Sequence, residues 1–142
     1  MDFIESESRR VIVGKVSPDE ELIDKITEMI RTSEIKSGLV NVIGAFKKFT
    51  LGYFDITKKE YLFKIFEENV ELVSCMGNIA YKEDEPIIHL HAMVGRPDYS
   101  ILGGHLGQPS IVSVTGEVYI YEIDKTLIRE NDPRFDLSLL EL

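Results

Sequence analysis

The chain has 142 residues, enough for one domain with a core of its own. Its 16 basic residues against 25 acidic ones leave a formal charge of −9, which argues against direct DNA binding, because Lys and Arg neutralising phosphates supply most non-specific nucleic-acid affinity. No apolar run of about 18 residues suggests a membrane span, the acidic start Met1-Asp2-Phe3-Ile4-Glu5 is unlike a signal peptide, and the single Cys75 has no internal disulfide partner; together they predict a cytoplasmic protein away from membranes.

Arg9 to Val16 is short and β-branched, a predicted strand. Ser17-Pro18-Asp19-Glu20 then reads as a helix start, with Ser17 as cap, Pro18 in the first turn and Glu20 closing a capping box. Leu22, Ile23, Ile26, Met29 and Ile30 form an apolar stripe at helical spacing, a core-facing surface. Gly38 is the expected helix stop. Strands are predicted over 39–46 and 49–54, then a turn at 55–59, then strands over 60–66 and 70–80. A polar turn at 82–86 leads into a strand over 87–94, and the last sheet segments are 103–106 and 111–123. Residues 1–142 therefore read as a single α+β domain with a mainly antiparallel sheet and one principal helix. The core spans about 9–123. The tail 124–142 keeps Phe135, Leu137, Leu139, Leu140 and Leu142, so it is expected to dock on the body or on a neighbouring subunit.

All three histidines, His89, His91 and His105, fall in one 17-residue window. A His-x-His pair on a strand puts both imidazoles on one face. A third histidine returning on a neighbouring strand completes a set of three nitrogens, which suits zinc with a fourth position left for water or substrate. The competing reading is three structural histidines hydrogen-bonded within a sheet. Gly103-Gly104 beside His105 would permit close backbone approach or a bulge. Glu71 and Glu117 are the acid–base candidates for an open metal site; the alternative for each is a carboxylate orienting a histidine's second nitrogen. Cys75, in V-S-C-M-G, reads as a small buried apolar residue. No serine-hydrolase order, Walker loop or dinucleotide glycine pattern occurs. Lys47, Lys48, Lys58, Lys59 and Lys64 are interleaved with Tyr53, Phe54, Tyr61, Phe63 and Phe66. That mixture could imitate a single-strand stacking platform, but hairpin edges, core and subunit contacts account for it in an acidic domain.

The landmarks Val42-Ile43-Gly44-Ala45, Leu51-Gly52-Tyr53-Phe54-Asp55, Glu71 to Ile79, His89-Leu90-His91-Ala92, Gly103-Gly104-His105-Leu106 and Thr115-Gly116-Glu117-Val118 stand in order. In that order and spacing the chain resembles the PPC domain (plants and prokaryotes conserved) from about Arg9 to Ile123. The resemblance implies a compact α+β homotrimer, with zinc held by His89, His91 and His105. In plants the domain follows an AT-hook and mediates assembly and partner binding, and prokaryotic relatives carry a DNA-binding label through that association. Here Gly95-Arg96-Pro97 is only a fragment of the hook core Arg-Gly-Arg-Pro, with Val94 in place of the leading arginine, and reads as a turn. The plant recruiting segment Gly-Arg-Phe is replaced by Glu68-Asn69-Val70. Two functions are compatible with these residues. One is a metal-binding assembly module that regulates or recruits other proteins. The other is a small zinc-dependent metalloenzyme, a hydrolase or lyase using an open three-histidine site.

Overall fold

A computed structural model describes residues 1–142. The elements run β1 (Ser8–Val16), α1 (Leu22–Thr32), β2 (Gly38–Asp55), β3 (Glu60–Phe66), β4 (Val70–Lys82), β5 (Glu85–Gly95), β6 (Ile101–Ile123), β7 (Ile128–Asp132) and β8 (Leu137–Glu141). The sheet order is β3-β2-β6-β5-β4-β7-β8, with β1 on β6 and an additional β2–β4 pairing. All these pairings are antiparallel except a parallel Tyr81–Ile128 contact between β4 and β7. Because β2 pairs with both β4 and β6, and β5 joins those two, the strands close a ring. The sheet therefore curls around its core.

The core takes alternate residues of each strand, including Val40, Val42, Cys75, Leu90, Ala92, Val94, Leu106, Val118 and Ile120. Helix α1 adds Leu22, Ile26 and Ile30 from the predicted stripe. Cys75 is fully buried, and burial pushes its thiol up to about 12, so it packs as an apolar group rather than reacting as a thiolate.

The helix ends differ from expectation. Ser17 N–H does donate to Glu20 Oε2 at 2.8 Å, the backbone half of the predicted box. That bond closes a turn, however, because Asp19 adopts φ +72° and breaks the helical path. The cap is Glu21 instead. Its carboxylate accepts from Asp24 N–H at 2.7 Å and from Ser110 N–H at 2.9 Å, tying the helix start to β6. The helix stops before Gly38, at Glu34, which takes φ +51°. Glu34 N–H reaches Arg31 O at 3.2 Å and Ile35 N–H reaches Ile30 O at 3.0 Å, a Schellman pair. Gly38 is the first residue of β2, where a Cβ would stand 2.4 Å from Tyr121 O.

The predicted strands 39–46 and 49–54 are one 18-residue strand, and 103–106 and 111–123 are parts of one 23-residue strand. Irregular register between β2 and β6 at Gly44–Thr50 absorbs the bends that sequence reading took for breaks. The tail docks on the body as a β7–β8 hairpin against β4.

Candidate metal centre

Antiparallel pairing places residues directly opposite one another on the same side of the sheet. One such row runs Val13–Tyr119–Asn41–Met76–His91–His105–Gly52–Phe63 across β1, β6, β2, β4, β5, β6, β2 and β3. The adjacent row runs Val11–Tyr121–Leu39–Asn78–His89. Both rows face outward, since their sequence neighbours Leu90, Ala92 and Leu106 enter the core. The His-x-His pair thus shares one face, and the β5–β6 pairing brings His105 directly opposite His91.

The three side chains converge. One nitrogen from each lies within 4.8 Å of the others. His89 Nε2 and His91 Nε2 are 3.2 Å apart, close to the edge of about 3.3 Å in a nitrogen tetrahedron around zinc at about 2.05 Å. His91 is exposed, while His89 and His105 are half-buried. Burial is the largest cause lowering His89 from its ordinary value, followed by the Arg129 charge and His91. Burial likewise pulls His105 down to about 4, with His89, His91 and Arg129 adding to it. His105 is therefore neutral at pH 7, the state a metal ligand needs. Its Nδ1 is buried without a hydrogen-bond partner. Three clustered imidazoles, one of them with an unpaired buried nitrogen, fit a divalent ion better than a satisfied structural sheet cluster does.

Glycine makes the approach of strands possible here. A Cβ on Gly77 would stand 1.7 Å from His89 O, and one on Gly104 would stand 2.7 Å from Gly52 O. A Cβ on Gly52 would meet the Phe63 ring at 2.6 Å. Without one, the β3 aromatics wall the cluster, and the Tyr61 ring centroid lies 4.6 Å from that of His105.

Glu71 and Glu117 are not brought to the histidines within the chain. Glu71 pairs with Gly95, four residues along β5 from His91, or about 13 Å at about 3.3 Å per residue. Glu117 pairs with Ile43 and Lys15. The two glutamates instead share a groove with Ile43, Val73 and Val114. The residue beside His89 is Arg129 of β7, whose Nη2 lies 3.3 Å from His89 Nδ1 and donates to Asn78 Oδ1 at 2.8 Å. Sequence reading missed it. The apolar tail announced docking, but nothing local to Ile128-Arg129-Glu130 says which residue meets a site on β5.

Arg96 is held by Glu68, Nε to Oε2 at 3.1 Å and Nη2 to Oε1 at 2.7 Å, in a turn closed by Arg96 N–H to Ser100 O. The hook-like fragment is a turn, and the residue standing in the plant recruiting segment is its counter-charge. Lys47 pairs with Asp19, and Lys48 with Glu67 at 2.7 Å.

The sequence profile of the Plants and Prokaryotes Conserved (PCC) domain matches residues 3–124. This chain belongs to that family. Among solved structures it is similar to a metal-containing protein from Archaeoglobus fulgidus, at 28% identity over 100% of both chains with a TM-score of 0.92. It is also similar to a plant- and prokaryote-conserved protein from Pyrococcus horikoshii, at 28% identity over 100% of this chain and 98% of that one, TM-score 0.91. A candidate DNA-binding protein from Bacteroides thetaiotaomicron matches at 28% identity over 96% of each chain, TM-score 0.88. The fold alone is shared with α-acetolactate decarboxylase from Bacillus subtilis, at 17% identity over 90% of this chain and 59% of that one, TM-score 0.56. No curated protein matches the sequence.

Proposed function

We propose that this PCC protein is a zinc-binding module that works as a homotrimer, its ion held by His89, His91 and His105. The observation that carries the reading is the convergence of all three of the chain's histidines on one outward patch. The naming of the Archaeoglobus relative as metal-containing supports it. Zinc bound there would supply a Lewis acid to an oxygen ligand in its remaining position. The chain's own part is to keep His105 neutral by burial, to set His89 and His91 about one ligand edge apart, and to wall the cluster with Tyr61 and Phe63.

As a module it regulates or recruits other proteins from a reducing, cytoplasmic location that its lone, buried Cys75 suits. No helix in it is long and apolar enough to cross a membrane. Direct grip on DNA is disfavoured, because the net charge is −9 and Arg96, Lys47 and Lys48 are each paired with a carboxylate. A second reading, a small zinc-dependent hydrolase or lyase, is favoured by the exposure of His91, which leaves the cluster open to a solute. In that reading Glu71 and Glu117 act as acid or base only through a neighbouring subunit of the trimer, since neither reaches the histidines of its own chain.

Elemental analysis of untagged protein tests the centre. About one zinc per chain is expected, with loss in His89→Ala/His91→Ala while the chain stays folded. A wild-type protein that neither carries nor takes up zinc would leave the histidines structural. Zinc-dependent turnover abolished by His91→Ala, with the assembly intact, would select the enzyme over the module.

A further inference from the structure

We infer that Arg129 makes the three-histidine cluster a binding site for a small oxyanion, a carboxylate or phosphate group lodged against its guanidinium beside His89. The inference rests on the metal-site reading and deepens it by naming the class of ligand the site takes. Arg129 comes from the β7–β8 hairpin, beyond the residues matched by the family profile.

Arg129 is 6% exposed. Its Nη1 donates to Ser138 O at 2.9 Å, and its Nη2 donates to Asn78 Oδ1 at 2.8 Å and lies 3.3 Å from His89 Nδ1. Its Nε is buried and has no partner. None of these contacts is a carboxylate, and Arg129 enters no ion pair. By contrast Arg10, Arg31, Arg96 and Arg134 each pair with a carboxylate although their side chains are at least 32% exposed. The molecule thus neutralises arginines that water already solvates and leaves the buried one without a counter-charge. A guanidinium stays charged at any working pH and is costly to bury unpaired. The missing partner is an anion.

The donor count at His89 points the same way. Arginine only donates, so the 3.3 Å contact of Arg129 Nη2 with His89 Nδ1 is a hydrogen bond only while Nδ1 carries no proton. A histidine that ligates through Nε2 carries its proton on Nδ1 instead. The Nδ1–H and the Nη2–H would then face each other with no acceptor between them. An oxyanion supplies acceptor oxygens to both, offers one to the orphaned Nε, and balances the charge. The exposed side of the cluster, at His91, is open to a small solute.

The experiment is an NMR titration of metal-free and zinc-loaded protein with acetate and, in a separate arm, inorganic phosphate, at constant ionic strength with chloride as reference. The Arg129 Nε–H resonance is expected to shift saturably in the metal-free protein and to saturate at lower anion concentration once zinc is loaded. Response to acetate alone assigns a carboxylate ligand, and response to phosphate alone a phosphate. Arg129→Gln is expected to weaken binding at least tenfold while taking up zinc at wild-type stoichiometry. Arg129→Lys, which keeps the charge, is expected to retain part of the affinity. If neither probe moves the Arg129 resonance, or if Arg129→Gln binds both as well as the wild type, the inference is overturned while zinc uptake leaves the metal site standing. If the protein takes up no zinc, the metal reading falls and the metal-free arm still decides the anion. Should Arg129→Gln not fold, the wild-type resonance gives the answer alone.

Discussion

His105 shows how much of the site's behaviour is set by a single position. Half-buried beside two imidazoles and near a guanidinium, it has a folded-state pKa of about 4 against an ordinary value of 6.5. The unfolded chain therefore takes up a proton on this residue at higher pH than the folded one does. Between these two values the unfolded state binds more protons, so folding stability rises with pH there and is lost as pH falls. In metal-free protein, the urea midpoint is expected to drop as pH is lowered from about 7 to about 4, and His105→Gln is expected to flatten that slope. An unchanged slope in the variant would assign the loss to other groups. The three clustered histidines were legible because His-x-His and Gly-Gly-His are local patterns with a strand period behind them. Arg129 was not legible, because its place beside His89 depends on the register of a hairpin that docks 40 residues away in sequence. The glutamates chosen by motif lie on the right face but at the wrong height along it.

At the scale of elements, the apolar stripe of α1, the strands β4 and β5 and the apolar tail could all be read from the sequence, because each rests on a local pattern or clustering of apolar residues. The helix boundaries and the continuity of β2 and β6 could not. Glu21 caps α1 only because Ser110 of β6 shares its carboxylate, and the bends in β2 and β6 look like loops until their partners are known. Gly77 is the element-level joint on which the site depends. Added there, a Cβ would stand 1.7 Å from the carbonyl oxygen of His89 and 2.7 Å from its carbonyl carbon. Backbone cannot swing aside as a side chain can, so Gly77→Ala must push β5 away from β4. The expected cost is about 3 kcal/mol or more, seen as a fall in the thermal midpoint on the order of 10 °C, with weaker zinc uptake because His89 moves with its carbonyl. Gly14→Ala is the control: its Cβ meets only the flexible end of Met29, which can rotate away. A Gly77→Ala protein as stable as Gly14→Ala would show that the two strands have slack.

Across the whole molecule, the curled sheet buries its inner face against α1 and leaves its outer face strongly apolar. Val11, Val13, Leu39, Met76, Tyr119 and Tyr121 are all at least 39% exposed, and the pairing register sets them side by side in the same two rows that hold the histidines. A continuous apolar surface of this kind is unusual on a monomer. A second and third copy of the chain are the proposed occupants, since burying the face between identical subunits removes it from water and places the histidine cluster beside the resulting interface. Charge within these two rows does not oppose this, because they carry no carboxylate; Glu117, further along β6 on the same face, is paired in register with Lys15. Sedimentation equilibrium is expected to return three times the chain mass of 16.2 kDa. Val13→Asp/Tyr119→Asp, a directly opposed pair on β1 and β6, is expected to yield a folded monomer by circular dichroism, because two carboxylates would have to be desolvated to close the interface. A wild-type monomer would overturn the trimer, and a variant that stays trimeric would move the interface off this face. If the monomeric variant keeps its zinc, the centre is complete within one chain. If zinc is lost with assembly, a neighbouring subunit finishes the site, and Glu71 and Glu117 become the first residues to test as its contribution.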